Sequence, residues 1–249
     1  FNNMDERLKA ITDKKGTRLR EDYFSLAIFF RIFIPDCFKE YDKALYIDAD
    51  TIILDDISKL YNTDLEGNYI GGCVDTSCFG IKDITNYFTN GVGVDYREYI
   101  NSGVILFDMK TLRDKGFADK FLYLFNKYNF GNVDPDQSYI NAMLKGKIKY
   151  LDGKWDTMPT EGGKRCDNLG IVHFNLFKKP WHYDNVLYED EFWSYAKKTA
   201  YYEKIKEIKE NYTDEDKQKD DKSLEAMLKR CREIVKDEVT FKTVFDSGK

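Results

Sequence analysis

The chain is expected to adopt an α/β layer fold around a largely parallel central sheet, and two observations predict it. Short apolar runs of strand length alternate with segments of helical period between residues 23 and 174, the pattern of strands and helices stacked in layers. The run Ala44-Leu45-Tyr46-Ile47 is continuously apolar, as in a strand covered on both faces, and it leads straight into Asp48-Ala49-Asp50. Ligands of open α/β sheets gather at the carboxyl ends of such strands. That exit marks the place to look for a site.

The elements follow in order. Tyr23 to Ile34 reads as a helix with Phe24, Ala27, Ile28, Arg31 and Ile34 along one side. Strand 44–47 comes next, then a short helix at Ile57–Tyr61 for which Asp55 or Asp56 is the N-cap. Tyr69–Val74 and Val104–Phe107 are apolar enough for strands, with a short helix at Asp83–Thr89 between them. Phe117–Tyr128 has a helical period ending near Gly131, and Asp136–Leu144 is a helix opened by Pro135. Ile148–Leu151 and Ile171–Phe174 complete the strands. Beyond residue 196 the character changes. Lys and Glu recur to Glu210, Asn211–Asp221 reads as a polar break, and Ser223–Lys236 places Leu224, Met227, Leu228, Cys231 and Val235 on one helical face. The division expected is a body of residues 1–196 and a helical extension of residues 197–249, packed on the body or on a second copy of the chain.

Composition narrows the function. A chain of 249 residues can bury a full-sized core. Its net charge of -5 argues against a nucleic-acid surface. The extension is nearly neutral, with 14 basic and 13 acidic side chains, which disfavours a polybasic membrane anchor. The longest apolar stretch, Leu26 to Ile34, is far short of a membrane span and contains Arg31. With no secretory leader visible, work in the cytoplasm is expected, with room for peripheral contact at a membrane face. Five scattered cysteines read as free thiols in a reducing compartment.

The chemistry rests on a few side chains. Residues two apart on an extended segment point the same way, so Asp48 and Asp50 can share one divalent cation. Such a cation completes its shell with substrate phosphates. The chain has only two histidines, and His173 follows the apolar run Leu169-Gly170-Ile171-Val172, again at a strand's end. An imidazole beside two carboxylates makes a mixed N/O set that suits Mn²⁺ better than Mg²⁺. Lys179, six residues on, offers a point charge for a diphosphate. Each has an ordinary reading alone: Asp-x-Asp caps helices, a lone histidine packs, a lysine is solvated. No His-Glu-x-x-His or Gly-x-Ser-x-Gly pattern supports a hydrolase. Asn90-Gly91-Val92-Gly93-Val94 is a turn rather than a phosphate loop, and Ile52 stands where a calcium loop needs oxygen.

Four blocks in order carry a resemblance. They are Phe30-Arg31-Ile32-Phe33-Ile34-Pro35 running on to Tyr41–Ile53, then Tyr99–Phe107 with Asn101-Ser102-Gly103, then Asp134-Pro135-Asp136-Gln137-Ser138-Tyr139-Ile140-Asn141, then His173-Phe174-Asn175-Leu176-Phe177-Lys178-Lys179-Pro180-Trp181. Together they resemble glycosyltransferase family 8 across roughly residues 20–182. The resemblance implies a GT-A (Rossmann-like) fold. It also implies retaining transfer of a hexose from UDP-glucose or UDP-galactose to a glycan or lipid-linked acceptor, as in lipopolysaccharide biosynthesis, with Mn²⁺ or Mg²⁺ as cofactor and a homo-oligomer allowed. It implies Asp48, Asp50 and His173 as metal ligands and Lys179 on the diphosphate. Arg31 would lie near the donor's phosphate or sugar, Asp75, Asn101 and Ser102 in the donor-sugar pocket, and Asp136 and Gln137 beside the reacting anomeric carbon. The alternatives are a catalytically silent nucleotide-sugar or glycan-binding module and a metal-dependent nucleotide-sugar hydrolase.

Two departures are expected to matter. The family begins with a strand–helix–strand segment that binds uracil and ribose, and this chain starts after it, so a fragment or an incomplete donor site is expected. The histidine block carries Gly in the family where Leu176 stands here. A Leu is not expected to take backbone conformations open to Gly, which would weaken a close backbone approach to phosphate.

Overall fold

Eight residues, Phe30–Cys37, form helix α1, preceded by a 3-10 turn at Leu26–Phe29. The computed structural model describes residues 26–128 and 130–248, so the expected helical start at Tyr23–Ser25 lies outside the described residues. Strand β1 (Lys43–Ile47) is the apolar run that leads into the Asp pair. It is followed by β2 (Thr51–Ile53), α2 (Ile57–Tyr61), β3 (Ile70–Val74) and α3 (Lys82–Asn86). Next come β4 (Ile100–Asp108), α4 (Met109–Asp114), α5 (Phe117–Lys127), α6 (Pro135–Met143), β5 (Ile148–Tyr150) and β6 (Ile171–His173). The chain closes with α7 (Glu189–Ala196), α8 (Tyr202–Glu210), α9 (Asp214–Ile234) and α10 (Phe241–Asp246).

Local chemistry accounts for the helix starts. Asp56 caps α2 by accepting from Ser58 N, Asp108 caps α4 by accepting from Thr111 N, and Pro135 stands at the first turn of α6. The polar break expected over Asn211–Asp221 is shorter than read. Thr213 and Asp216 form a reciprocal capping box that starts α9 at Asp214. Acidic residues 214–216 then sit in the first turn, where the helix dipole favours them.

The main sheet has the order β1-β4-β3-β5. β1 and β3 each pair antiparallel with β4, and β3 pairs parallel with β5. Three strands therefore share one direction, and the parallel character expected from the alternation is interrupted by one reversed strand. That reversal has a consequence for chemistry: the first residues of β4 lie at the same edge as the last residues of β1 and β3. Asp48 N donates to Gly103 O (2.7 Å) and Asp75 N donates to Tyr99 O (2.8 Å) across this edge. A separate two-stranded sheet, β2 with β6, sits beyond it.

The main core packs the helices on the sheet. Phe117, Phe121, Leu124 and Phe125 form the buried stripe of α5, with Phe121 edge-on to Phe33 of α1 and Tyr139 of α6. Met227, Cys231 and Ile234 of α9, and Phe241 and Val244 of α10, belong to this same core. Phe241 stacks on Phe130 at 4.1 Å. Burying five such side chains stabilises the docking by roughly 10 kcal/mol before chain-ordering costs. The apolar face read at Leu224–Val235 is thus turned onto the body. No helix among the described residues is long and apolar enough to cross a membrane.

Candidate active site

The turn between β1 and β2 presents Asp48 and Asp50, and Thr51 Oγ1 donates to Asp48 O (2.8 Å) within it. β2 then pairs antiparallel with β6 in the register Thr51↔His173, which brings the histidine opposite the acids. His173 is 2% exposed. Its Nε2 lies 3.2 Å from Asp50 Oδ1 and 3.9 Å from Asp48 Oδ2. One ligand atom from each of the three side chains lies within 4.8 Å of the others, a spacing that can hold a metal ion.

The other ring nitrogen is also fixed. His173 Nδ1 lies 2.9 Å from Oδ1 of buried Asp156. A metal-binding histidine needs such a partner to set its tautomer and orientation. Sequence reasoning missed Asp156; it is one acid among 44, outside every motif block. Burial alone would lower the proton affinity of His173, but Asp156 and Asp50 raise its pKa to about 10. Burial likewise opposes ionisation of Asp50, yet His173 and Lys179 hold it well below the usual carboxylate range. The imidazolium thus occupies the place of positive charge between two carboxylates. The donor set fits a divalent cation, because replacing that proton by a metal leaves every ligand in its charged or lone-pair form.

Space for the ring comes from Gly103. A Cβ there would stand 2.2 Å from His173 Cε1 and 2.8 Å from Nδ1. Only glycine lets β4 run this close beneath the imidazole.

Arg31 of α1 joins both halves of the site. Its guanidinium lies 3.0 Å from Asp48 Oδ1 and 3.1 Å from Asp136 Oδ2, and its Nη1 donates to Ser102 O (2.5 Å). It also sits 4.5 Å over the Tyr46 ring. Burial pushes the Asp136 carboxyl up, and the charge of Arg31 draws it back down. Lys179 Nζ donates to Asp50 Oδ2 and to Phe174 O.

The remaining wall is a network around Gln137. Its Oε1 accepts from Ser102 N (2.8 Å) and its Nε2 donates to Asp75 Oδ2 (3.2 Å). Asn101 Nδ2 donates to the same Asp75 oxygen (3.1 Å). Beneath lies Asp134, accepting from Tyr99 Oη (2.6 Å) and Tyr87 Oη (3.3 Å), and burial raises its pKa to about 7. Its position under Gln137 was not read from the sequence.

All ten residues singled out by sequence line one cleft of about 600 Å³: Arg31, Asp48, Asp50, Asp75, Asn101, Ser102, Asp136, Gln137, His173 and Lys179. Leu176 lines it too, 40% exposed. The expectation for Leu176 is corrected. Its φ is 57°, so this leucine does take the left-handed conformation that favours glycine. Such strain persists only where surrounding structure holds it, here the anchored His173–Lys179 segment.

Comparison with known proteins identifies the family. The family model described as "Glycosyl transferase family 8" matches residues 1–185, and the chain belongs to that family. A provisionally named glycosyltransferase of Haemophilus influenzae is 30% identical over 170 residues, 65% of this chain and 50% of that protein. A lipopolysaccharide 1,2-glucosyltransferase of Escherichia coli is 26% identical over 184 residues, 69% of this chain and 54% of its own. The chain thus spans about half the length of these curated relatives. Among solved structures, the galactosyltransferase LgtC in complex with donor and acceptor sugar analogs superposes with a TM-score of 0.57 at 21% identity, over 78% of this chain and 73% of that one. The shared fold is the GT-A fold, here with a helical carboxyl-terminal region.

Proposed function

We propose that the chain forms the catalytic centre of a retaining glycosyltransferase that moves a hexose from UDP-glucose or UDP-galactose to a glycan or lipid-linked acceptor. One observation carries this reading: two carboxylates and a carboxylate-oriented imidazole converge beside Lys179 in a cleft whose opposite wall holds Asp136 and Gln137. Asp48, Asp50 and His173 would hold Mn²⁺, with Mg²⁺ as the alternative, and the ion would supply Lewis-acid stabilisation of charge on the leaving diphosphate. Lys179 adds a second positive charge on that side of the cleft. Arg31 pairs with both Asp48 and Asp136 and offsets part of their charge, which lessens the repulsion of two acids close to an anionic donor.

Opposite, Asp75, Asn101, Ser102 and Gln137 present fixed polar atoms for sugar hydroxyls. Their mutual hydrogen bonds hold them in place before a ligand arrives, which lowers the ordering cost of binding. Retention is read as front-face attack, with the departing phosphate oxygen taking the acceptor's proton. Gln137 Oε1 is already engaged by Ser102 N, and Asp136 is paired with Arg31. Neither is a free nucleophile in this arrangement.

The test uses full-length protein with UDP-glucose or UDP-galactose, Mn²⁺ and candidate glycan acceptors, following UDP release. Transfer predicts release that rises with acceptor and disappears in Asp50→Ala. Release indifferent to acceptor would mean a hydrolase, and donor binding without release a silent module.

A further inference from the structure

A second cleft of about 480 Å³ lies against the first. Asn175, Leu176 and Phe177 line both, so the strained loop at Leu176 is the partition between them. Asn175 Nδ2 donates to Ser77 Oγ (3.1 Å), and Ser77 Oγ donates to Asp75 Oδ1 (2.5 Å), which ties this partition to the sugar side of the first cleft. The far wall comes from α9, through Asp220, Asp221 and Leu224. These residues lie beyond the segment matched by the family model.

Asp220 is the unusual member. It is 3% exposed, and its Oδ2 accepts from Tyr183 Oη (2.8 Å) and Tyr212 Oη (2.6 Å). Its Oδ1 has no hydrogen-bond partner among the described residues. A buried carboxylate oxygen left without a donor is costly, and a ligand donor would remove that cost. Tyr183 is itself part of the wall and covers the carboxylate, so its ring has to shift for a ligand to reach Oδ1.

The charge balance selects further. Glu161 is paired with Lys178 (2.6 Å) and Asp184 with Lys209 (2.8 Å). Asp220 and Asp221 have no cationic partner within ion-pair distance among the described residues. The cleft therefore carries uncompensated negative charge next to the place of transfer. Its volume falls in the range of small-ligand sites.

We infer that this second cleft is the acceptor subsite, and that it takes a saccharide rich in hydroxyl or ammonium donors and free of anionic groups, with Asp220 as its specificity-determining anchor. The inference rests on the transferase reading above and deepens it by naming the acceptor's chemistry. Phosphorylated and uronic-acid acceptors are excluded by like-charge repulsion, and α9 adds Asp220 and Asp221 to the wall from outside the family-matched segment.

The test separates the two readings. Saturation-transfer NMR on the full-length protein without donor would measure binding of p-nitrophenyl glucoside, glucosaminide and glucuronide. Transfer to the same glycosides from UDP-glucose and UDP-galactose would be measured in parallel. The glucoside and glucosaminide should bind, and the glucuronide should bind at least about tenfold more weakly. Asp220→Asn should raise the KM for acceptor about tenfold, more than it changes the KM for donor. Asp221→Asn, at an exposed position, should narrow the gap between glucuronide and glucoside, and it keeps the charge argument testable where Asp220→Asn does not fold. The assignment is wrong where none of the three glycosides binds, where the glucuronide binds as well as the glucosaminide, or where folded variants keep the parent's acceptor KM and preference. Absence of any turnover in the parent protein counts against the transferase reading, while the NMR arm still decides the subsite.

Discussion

Replacing Gly103 by alanine should damage the metal site without touching a metal ligand. The added methyl would meet His173 Cε1 at 2.2 Å, Nδ1 at 2.8 Å and Asn101 Oδ1 at 2.9 Å. Ordinary carbon–carbon contact needs roughly 3.5–4.0 Å, so the ring must retreat by about an ångström or more. It cannot do so freely. His173 is buried, and its Nδ1 is held 2.9 Å from Asp156. A shift of that size stretches the bond to Asp156 beyond hydrogen-bonding distance or carries Nε2 away from Asp50. Overpacking of this kind costs about 1–3 kcal/mol, and disturbing the second partner of a ligating histidine costs about 10–100-fold in metal affinity. Urea denaturation in EDTA reads the first quantity and calorimetric titration with Mn²⁺ the second. A Gly103→Ala protein with parental urea midpoint and parental Mn²⁺ affinity would refute the packing argument.

Four further outcomes are expected. Asp156→Asn removes the carboxylate that orients His173 and should weaken Mn²⁺ binding about 10–100-fold with the fold retained; unaltered affinity would leave Asp156 a packing residue. Leu176→Gly releases a left-handed backbone strain of about 1–2 kcal/mol, so its urea midpoint should match or exceed the parent's despite loss of the side chain. A loss above about 1 kcal/mol would contradict the strain. Gln137→Ala leaves Ser102 N without its acceptor at a cost of about 1–3 kcal/mol and should lower kcat more than donor affinity; steady-state kinetics that show only a KM change would demote it to a binding contact.

The fourth concerns pH. The folded-state pKa of His173 is raised from 6.5 to about 10, so its stabilising charge pairs are fully present below pH 6.5 and are lost as pH climbs toward 10. In EDTA, the urea midpoint should therefore fall between pH 6.5 and 10, and a midpoint that is flat or rises over that interval would show that His173 is not held protonated.

How much was readable can be judged residue by residue. Asp48 and Asp50 were legible because acids at a strand's exit break an apolar run within a few residues. His173 and Lys179 were legible for the same local reason, together with the four ordered blocks. β2 was not, because Thr51–Ile53 follows β1 after only the three residues of the acid turn and its pairing partner, β6, is far away in the chain. Asp156 and Asp134 escaped because nothing local separates a buried acid under a histidine or a glutamine from a solvated one. The apolar face of α9 was read, yet its partner, the main core, was not. An amphipathic stripe says that burial is needed and is silent about what supplies it.

Sequence by itself determined most of the strands and helices, the cap of α2, and which donor types stand at the strand ends. These depend on interactions within a turn or two of chain. Tertiary structure alone decided the reversal of β4, the register Thr51↔His173, the left-handed turn at Leu176 and the meeting of α9 with the second cleft. Each of these fixes distances between residues far apart in the chain. Such distances are set by which backbone hydrogen bonds and apolar faces find one another in the folded molecule, and no local propensity encodes them.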